Sequence, residues 1–63
     1  MKIVIKAKPG KALVLWTTNN YPFVVASTPD QVYQVGQLIP DWYWGKYFET
    51  IDEALTEFNK EVA

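Results

Sequence analysis

The pattern that most restricts this chain lies near its C-terminus. Thr50-Ile51-Asp52-Glu53 is a capping box: the Thr50 hydroxyl can accept from the Glu53 N–H while the Glu53 side chain reaches back. Behind it, Ile51, Ala54, Leu55, Phe58 and Val62 form one apolar stripe at helical spacing. Asp52 and Glu53 also suit the positive end of a helix dipole. The spacing predicts a helix over 51–62, roughly 18 Å long by helical rise. A helix of that length covers one face of a sheet, and most of the chain before it reads as strand.

The first strand pattern is "KIVIKAK" (2–8), with Ile3, Ile5 and Ala7 on one face, Lys2, Lys6 and Lys8 on the other, and Val4 as the exception. Pro9-Gly10 is a turn dipeptide of type II character, in which Gly takes the positive φ. "ALVLWTT" (12–18) is apolar on both faces, and Asn19-Asn20 offers a two-residue hairpin to "YPFVVAS" (21–27). Pro22 places the beginning of that third strand at an edge or outside the ladder. Residues 28–40 read as an irregular or short helical crossover, with Thr28 as N-cap, Pro29 at N1, Gln31 at N3 and an end near Gly36, although Val32, Tyr33 and Val35 also suit a strand. After a turn at Pro40-Asp41, "WYWGKYFE" (42–49) reads as a fourth strand. Trp42, Trp44, Lys46 and Phe48 then share one face, and Tyr43, Gly45 and Tyr47 the other. The expected fold is one small α+β domain over 1–63. It is an antiparallel sheet of three to four strands with one C-terminal helix on one face, in the order β-β-β-crossover-β-α.

That architecture leaves too many apolar positions. With Asn19-Asn20 as a tight turn, Trp16 faces Phe23 and Val14 faces Val25, beside Ile3 and Ile5. The opposite face shows Leu13, Leu15, Val24 and Ala26 beside Lys6, with no second helix to cover it. Large uncovered apolar patches mark interfaces. "DWYWGKYF" (41–48) adds five rings in eight residues, more than one short helix can hide. Trp44 and Phe48 are expected in the core beneath the helix. Tyr43 and Tyr47, flanking Gly45, are expected outside it, where Gly45 permits a close approach or marks a bulge. Leu13, Leu15, Val24, Tyr43 and Tyr47 are therefore the candidate interaction surface, for a second copy in a homodimer or for another protein.

Composition removes most catalytic classes. The chain has no Cys and no His, and its single serine is Ser27, so no nucleophile–base pair of the usual kind can be assembled. Asp52 with Glu53 and Glu57 with Glu61 are carboxylate pairs, but they fall on the polar face of the helix, where acids mostly meet water. No D-x-[DN]-x-[DN]-G spacing and no phosphate-cradling glycine loop is present. The expectation is a non-enzymatic protein with no catalytic residue, no metal and no cofactor.

Charge is uneven. Lys2, Lys6, Lys8 and Lys11 stand without an acid in 1–29, whereas Lys46 and Lys60 face seven acids in 30–63. The four N-terminal lysines form a candidate basic patch. With Trp16 or Tyr21 beside it, this patch is the competing reading, an accessory protein binding single-stranded nucleic acid. The absence of Arg counts against sequence-specific readout, and lysines on a terminal strand also guard it from edge pairing. The N-terminal "MKIVIKAKPGK" breaks its apolar run at Lys6, unlike a signal peptide. No run approaches a membrane span. A cytoplasmic protein without membrane contact is expected.

"WGKYFETIDEALTEF" (44–58), preceded by "YPFVVAS" (21–27), resembles a pattern in small uncharacterised proteins of phages and Gram-positive bacteria, where a W-G-x-Y-F strand runs into a T-x-x-E-A helix. Those proteins often carry His between Gly and Tyr, where this chain has Lys46. The resemblance covers about a third of the chain and implies a small, phage-linked intracellular protein of unknown function. It brings no activity, cofactor or catalytic residue.

Overall fold

The computed structural model describes residues 1–29 and 33–60. Its elements are β1 (Lys2–Lys8), β2 (Gly10–Trp16), β3 (Phe23–Thr28), β4 (Trp44–Phe48) and α1 (Ile51–Asn59). The strands make one antiparallel sheet in the order β1-β2-β3-β4, and α1 packs on one face of it. This is the small α+β fold that the sequence leads one to expect. The Thr50 hydroxyl caps α1 by accepting from the Glu53 N–H at 3.4 Å. The helix ends at Asn59, shorter than the expected span, and the Lys60 N–H closes its last turn on the Glu57 carbonyl. Val62 lies outside the described residues.

Two local devices set which residues share a face. At the β1–β2 turn, Lys8 pairs with Lys11 across Pro9-Gly10, and Gly10 takes φ +82°, as the type II geometry requires. Within β1 the register shifts between Val4 and Lys6, so Ile5 is the extra residue of a β-bulge. Simple alternation therefore fails along β1. Val4 and Ala7 fall on one side of the sheet and Ile5 on the other.

The β2–β3 register differs from the expected one by a single residue. Leu15 pairs with Phe23, Leu13 with Val25 and Val14 with Val24. The connection is not the two-residue turn at Asn19-Asn20 but the whole of 17–22. Pro22 has no N–H to give to a ladder. Its carbonyl instead accepts the Trp16 N–H at 2.7 Å, and β3 begins one residue later, at Phe23. A one-residue slip turns every side chain to the other face. Leu13 consequently packs with Ile5, Phe23, Val25, Phe48, Ala54 and Phe58 under the helix. Val24 packs with Val4, Ala12, Val14 and Ala26 on the far side.

The far face is not open, which corrects the expectation of an uncovered apolar sheet. The chain between β3 and β4 leaves Thr28, reaches the outer edge of β1 and returns to β4. At that edge the Val4 N–H donates to the Gln37 carbonyl (2.9 Å), the Gly36 N–H to the Val4 carbonyl (2.7 Å) and the Ile39 N–H to the Lys2 carbonyl (3.0 Å). Ile3 and Leu38 form an antiparallel bridge there. Ile39, 2% exposed, is driven into the face formed by Val4, Val14 and Val24, with Tyr33 and Trp42 packed beside it. Residues 33–43 act as a strap that replaces a second helix. They form no helix, and Asp30 and Gln31, on which the crossover-helix expectation partly rests, lie outside the described residues.

The strap's anchoring role predicts a contrast between neighbours. Ile39→Ala should lower stability by about 2–5 kcal/mol, the usual result of truncating a fully buried aliphatic side chain. Leu38→Ala, at a side chain 61% exposed, should stay within about 0.5 kcal/mol. Urea unfolding followed by tryptophan fluorescence measures both, and equal losses would contradict this account of the far face.

Candidate functional site

The residues expected to form one interaction surface are dispersed. Leu13 is buried beneath α1, and Leu15 shares that face through its pairing with Phe23. Val24 is buried on the strap side. Only Tyr43 and Tyr47 are exposed, so the apolar sheet face proposed for a second copy is closed by the chain itself. The basic patch is likewise divided. Lys2 pairs with Trp16 on the strap side. Lys8 lies over the Phe58 ring on the helix side, its Nζ 4.8 Å from the centroid. Lys6 is exposed in between.

The aromatic stretch splits differently from the alternation expected of it. Trp42 lies before β4 and turns to the strap side. There its ring meets Trp16 edge-on at 5.7 Å between centroids and Tyr47 at 6.2 Å. Its indole N–H donates to the Tyr47 hydroxyl at 3.3 Å. Lys2 Nζ sits 4.8 Å above the Trp16 ring and 5.4 Å from that of Trp42, and donates to the Pro40 carbonyl at 3.2 Å. Ring pairs of this kind contribute about 0.5–1.5 kcal/mol beyond their buried area. The trio with its lysine is a clasp that holds the strap's return to the sheet. The close approach anticipated at Gly45 is made by Val24 and by Trp42 of this clasp. A Cβ at position 45 would lie 2.9 Å from Val24 Cγ1 and 3.1 Å from Trp42 Nε1.

On the helix side, Phe48 packs into the core as expected, but Trp44 does not and is 60% exposed. The cause is the path of α1. It starts beside the end of β4, and by Phe58 it has crossed to Leu13 and to the Lys8 side chain. The far end of β4, where Trp44 pairs with Ser27, is left uncovered. The space beyond the helix end is a groove of about 640 Å³, walled by Lys8, Lys11, Trp44, Lys46, Glu57 and Lys60.

Among the described residues, four lysines meet one carboxylate in this groove. Glu57 lies 3.5 Å from Lys46 Nζ and 3.9 Å from Lys60 Nζ, and Lys11 Nζ donates to the Lys60 carbonyl at 3.3 Å. Since α1 has no basic residue in its last turn, Lys8 and Lys11 bring cations to the negative end of the helix dipole from another element. The groove therefore carries net positive charge beside an exposed indole. It lies over the end of β3, between the β1–β2 hairpin and β4, and β4 is the terminal strand, whose outer side pairs with no other strand among the described residues. Also among the described residues, no group of three or more carboxylates is placed to hold a metal.

Sequence reasoning missed Trp44, Lys46, Glu57 and Lys60 as members of one site. Their juxtaposition depends on the crossing direction of α1, and no residue pattern encodes that directly. The available signal was Lys46 at the centre of an otherwise aromatic strand. Compared with models of known protein families, with curated proteins and with solved structures, the chain shows no significant match.

The clasp predicts that Gly45→Ala is destabilising although it adds only a methyl group. A loss of about 1–3 kcal/mol is expected, typical of overpacking against a fixed neighbour. The same variant should also change the near-ultraviolet circular dichroism, because Trp42 must shift. An unchanged urea midpoint would show that the indole does not rest on the Gly45 backbone.

Proposed function

We propose that this chain is a non-enzymatic protein-interaction module that captures an extended segment of another protein along the outer edge of β4. One observation carries the reading. β4 is a terminal strand, free along its outer side among the described residues, and it carries three exposed aromatic side chains, Tyr43, Trp44 and Tyr47, at or beside its five residues. An added strand gains main-chain hydrogen bonds for affinity and side-chain contacts on alternate faces for specificity. Tyr and Trp are the residues most enriched where such contacts dominate binding.

The two ends of the sheet are treated differently. The outer edge of β1 is occupied by the strap over Lys2–Val4, as proteins commonly treat an edge that must not pair. At β4 the guard is partial, a single lysine at its centre. In an antiparallel self-pairing with greatest overlap, Lys46 would stand opposite Lys46 of the second copy, which is unfavourable. The edge thus discriminates against its own kind while remaining open to a different chain, and the partner is a heterologous extended segment. No helix among the described residues is long and apolar enough to cross a membrane.

Panning a library of random nine-residue peptides against the immobilised protein tests this proposal. Enrichment of sequences rich in β-branched residues is expected, together with slowed hydrogen exchange of the amides of Trp44–Phe48 when a selected peptide is bound. The absence of any enriched peptide, or protection confined to other strands, would overturn it.

A further inference from the structure

Resting on the β4-edge reading, we propose that the captured segment is acidic and that Glu57 occupies its carboxylate position in the free protein. A strand added to β4 lies about 4.8 Å from it. Its side chains on the helix side therefore meet Trp44 and Lys46 first, because those β4 side chains point there, opposite Ser27 and Val25, while Phe48 is packed into the core. Lys46 is already engaged by a carboxylate, that of Glu57 at 3.5 Å. Glu57 reaches from α1, also lies 3.9 Å from Lys60 Nζ, and among the described residues is the sole acid beside the four lysines of the groove. The internal pair shows the geometry in which these lysines accept a carboxylate.

The internal carboxylate does not saturate the site. Lys8 rests over Phe58, and Lys11 donates to a neutral carbonyl, so among the described residues two of the four cations have no acidic partner at hydrogen-bond distance. Lys46 and Lys60 are both more than half exposed, so an incoming carboxylate reaches them without first opening the core. Ion pairs made by lysines this exposed are weak, and a partner's acid can displace Glu57 at small cost. An acidic segment fits this groove better than a nucleic acid does. A peptide strand uses the open edge of β4 together with Lys46, whereas a nucleic acid uses only the lysines and one indole. The groove also lacks Arg, since the chain has none, and with it bidentate phosphate recognition.

The test uses four probes with the intact protein: a nine-residue peptide alternating Val with Glu, its Val–Gln counterpart, the Val–Glu peptide N-methylated at alternate residues, and nine-residue oligo-dT. Titrations follow tryptophan fluorescence at 50 and 300 mM salt. The Val–Glu peptide is expected to bind about tenfold more tightly than the Val–Gln peptide, with the difference shrinking at high salt. Glu57→Gln is expected to tighten the Val–Glu peptide by about two- to fivefold and to leave the Val–Gln peptide unchanged. Equal binding of the Glu and Gln peptides would overturn the acidic-partner inference while leaving strand addition intact. Equal binding of the N-methylated and unmodified Val–Glu peptides would instead overturn strand addition while leaving the lysine site intact. Oligo-dT binding more tightly than the Val–Glu peptide would reassign the groove to nucleic acid and overturn the inference. Should Glu57→Gln fail to fold, the Glu-against-Gln comparison on the wild-type protein still decides it, and Lys46→Gln, at a half-exposed side chain, should weaken the Val–Glu peptide severalfold.

Discussion

Three backbone hydrogen bonds between Gly36–Ile39 and the outer edge of β1 underlie much else in the molecule. A chain of 63 residues buries only about 60% of the surface its unfolded form exposes. Having no Cys, it must obtain stability from packing. Its sheet is apolar on both faces, and its nine-residue helix covers one. The hydrogen bonds to Lys2 and Val4 fix where the connection lies, and that placement drives Ile39 against Val4, Val14 and Val24. Irregular chain thereby does the work of a second helix layer. Its own polar groups are partly satisfied by pairing with the sheet edge it protects.

The strap must return to the sheet after reaching β1, and the aromatic clasp governs that return. Trp42 and Val24 crowd Gly45 so closely that a methyl group there would collide with Val24 and press on the indole, and Trp42 locks against Trp16 and Tyr47. Lys2 ties the two ends of this arrangement together. It belongs to β1, lies over both indoles, and donates to Pro40 within the strap. A lysine that reads as a surface charge in the sequence is therefore a packing residue, through the attraction between an ammonium and an aromatic face. The same placement removes Lys2 from any basic patch and leaves Lys8 and Lys11 as the N-terminal cations of the groove.

The elements were largely legible in the residues, whereas the faces were not. Thr50 and the stripe through Ala54 and Phe58 announce α1, and Pro9-Gly10 announces the first hairpin, because capping and turn chemistry are local. Pro22 correctly signals that β3 begins after it. What local rules cannot resolve is phase. The bulge at Ile5 and the longer β2–β3 connection each shift pairing by one residue, and a period of two converts each shift into an exchange of faces. Leu13 and Val24, which the two-residue turn would put on one surface, thus lie on opposite ones. The sealing of the far face was unreadable for another reason. It depends on contacts between Ile39 and residues more than thirty positions away in sequence, such as Val4. The expected interaction surface failed with the phase, while Tyr43 and Tyr47 remained outside because their exposure follows from the number of rings rather than from register.

The asymmetry between the two sheet edges gives the candidate site its physical logic. Pairing the strap with β1 uses up one edge and leaves β4 as the place where a further strand can add. β4 is held on its inner side by β3 and followed immediately by α1, so its outer groups are presented by a well-packed scaffold. Glu57 is positioned in the same way. Ala54 and Phe58, on the same helix, are buried against Leu13 and Val25, which fixes the turn that carries the carboxylate toward Lys46. The charge on the groove is set before any partner arrives. Its excess of cations is therefore a property of how α1 crosses the sheet, and it follows from the packing that stabilises the fold.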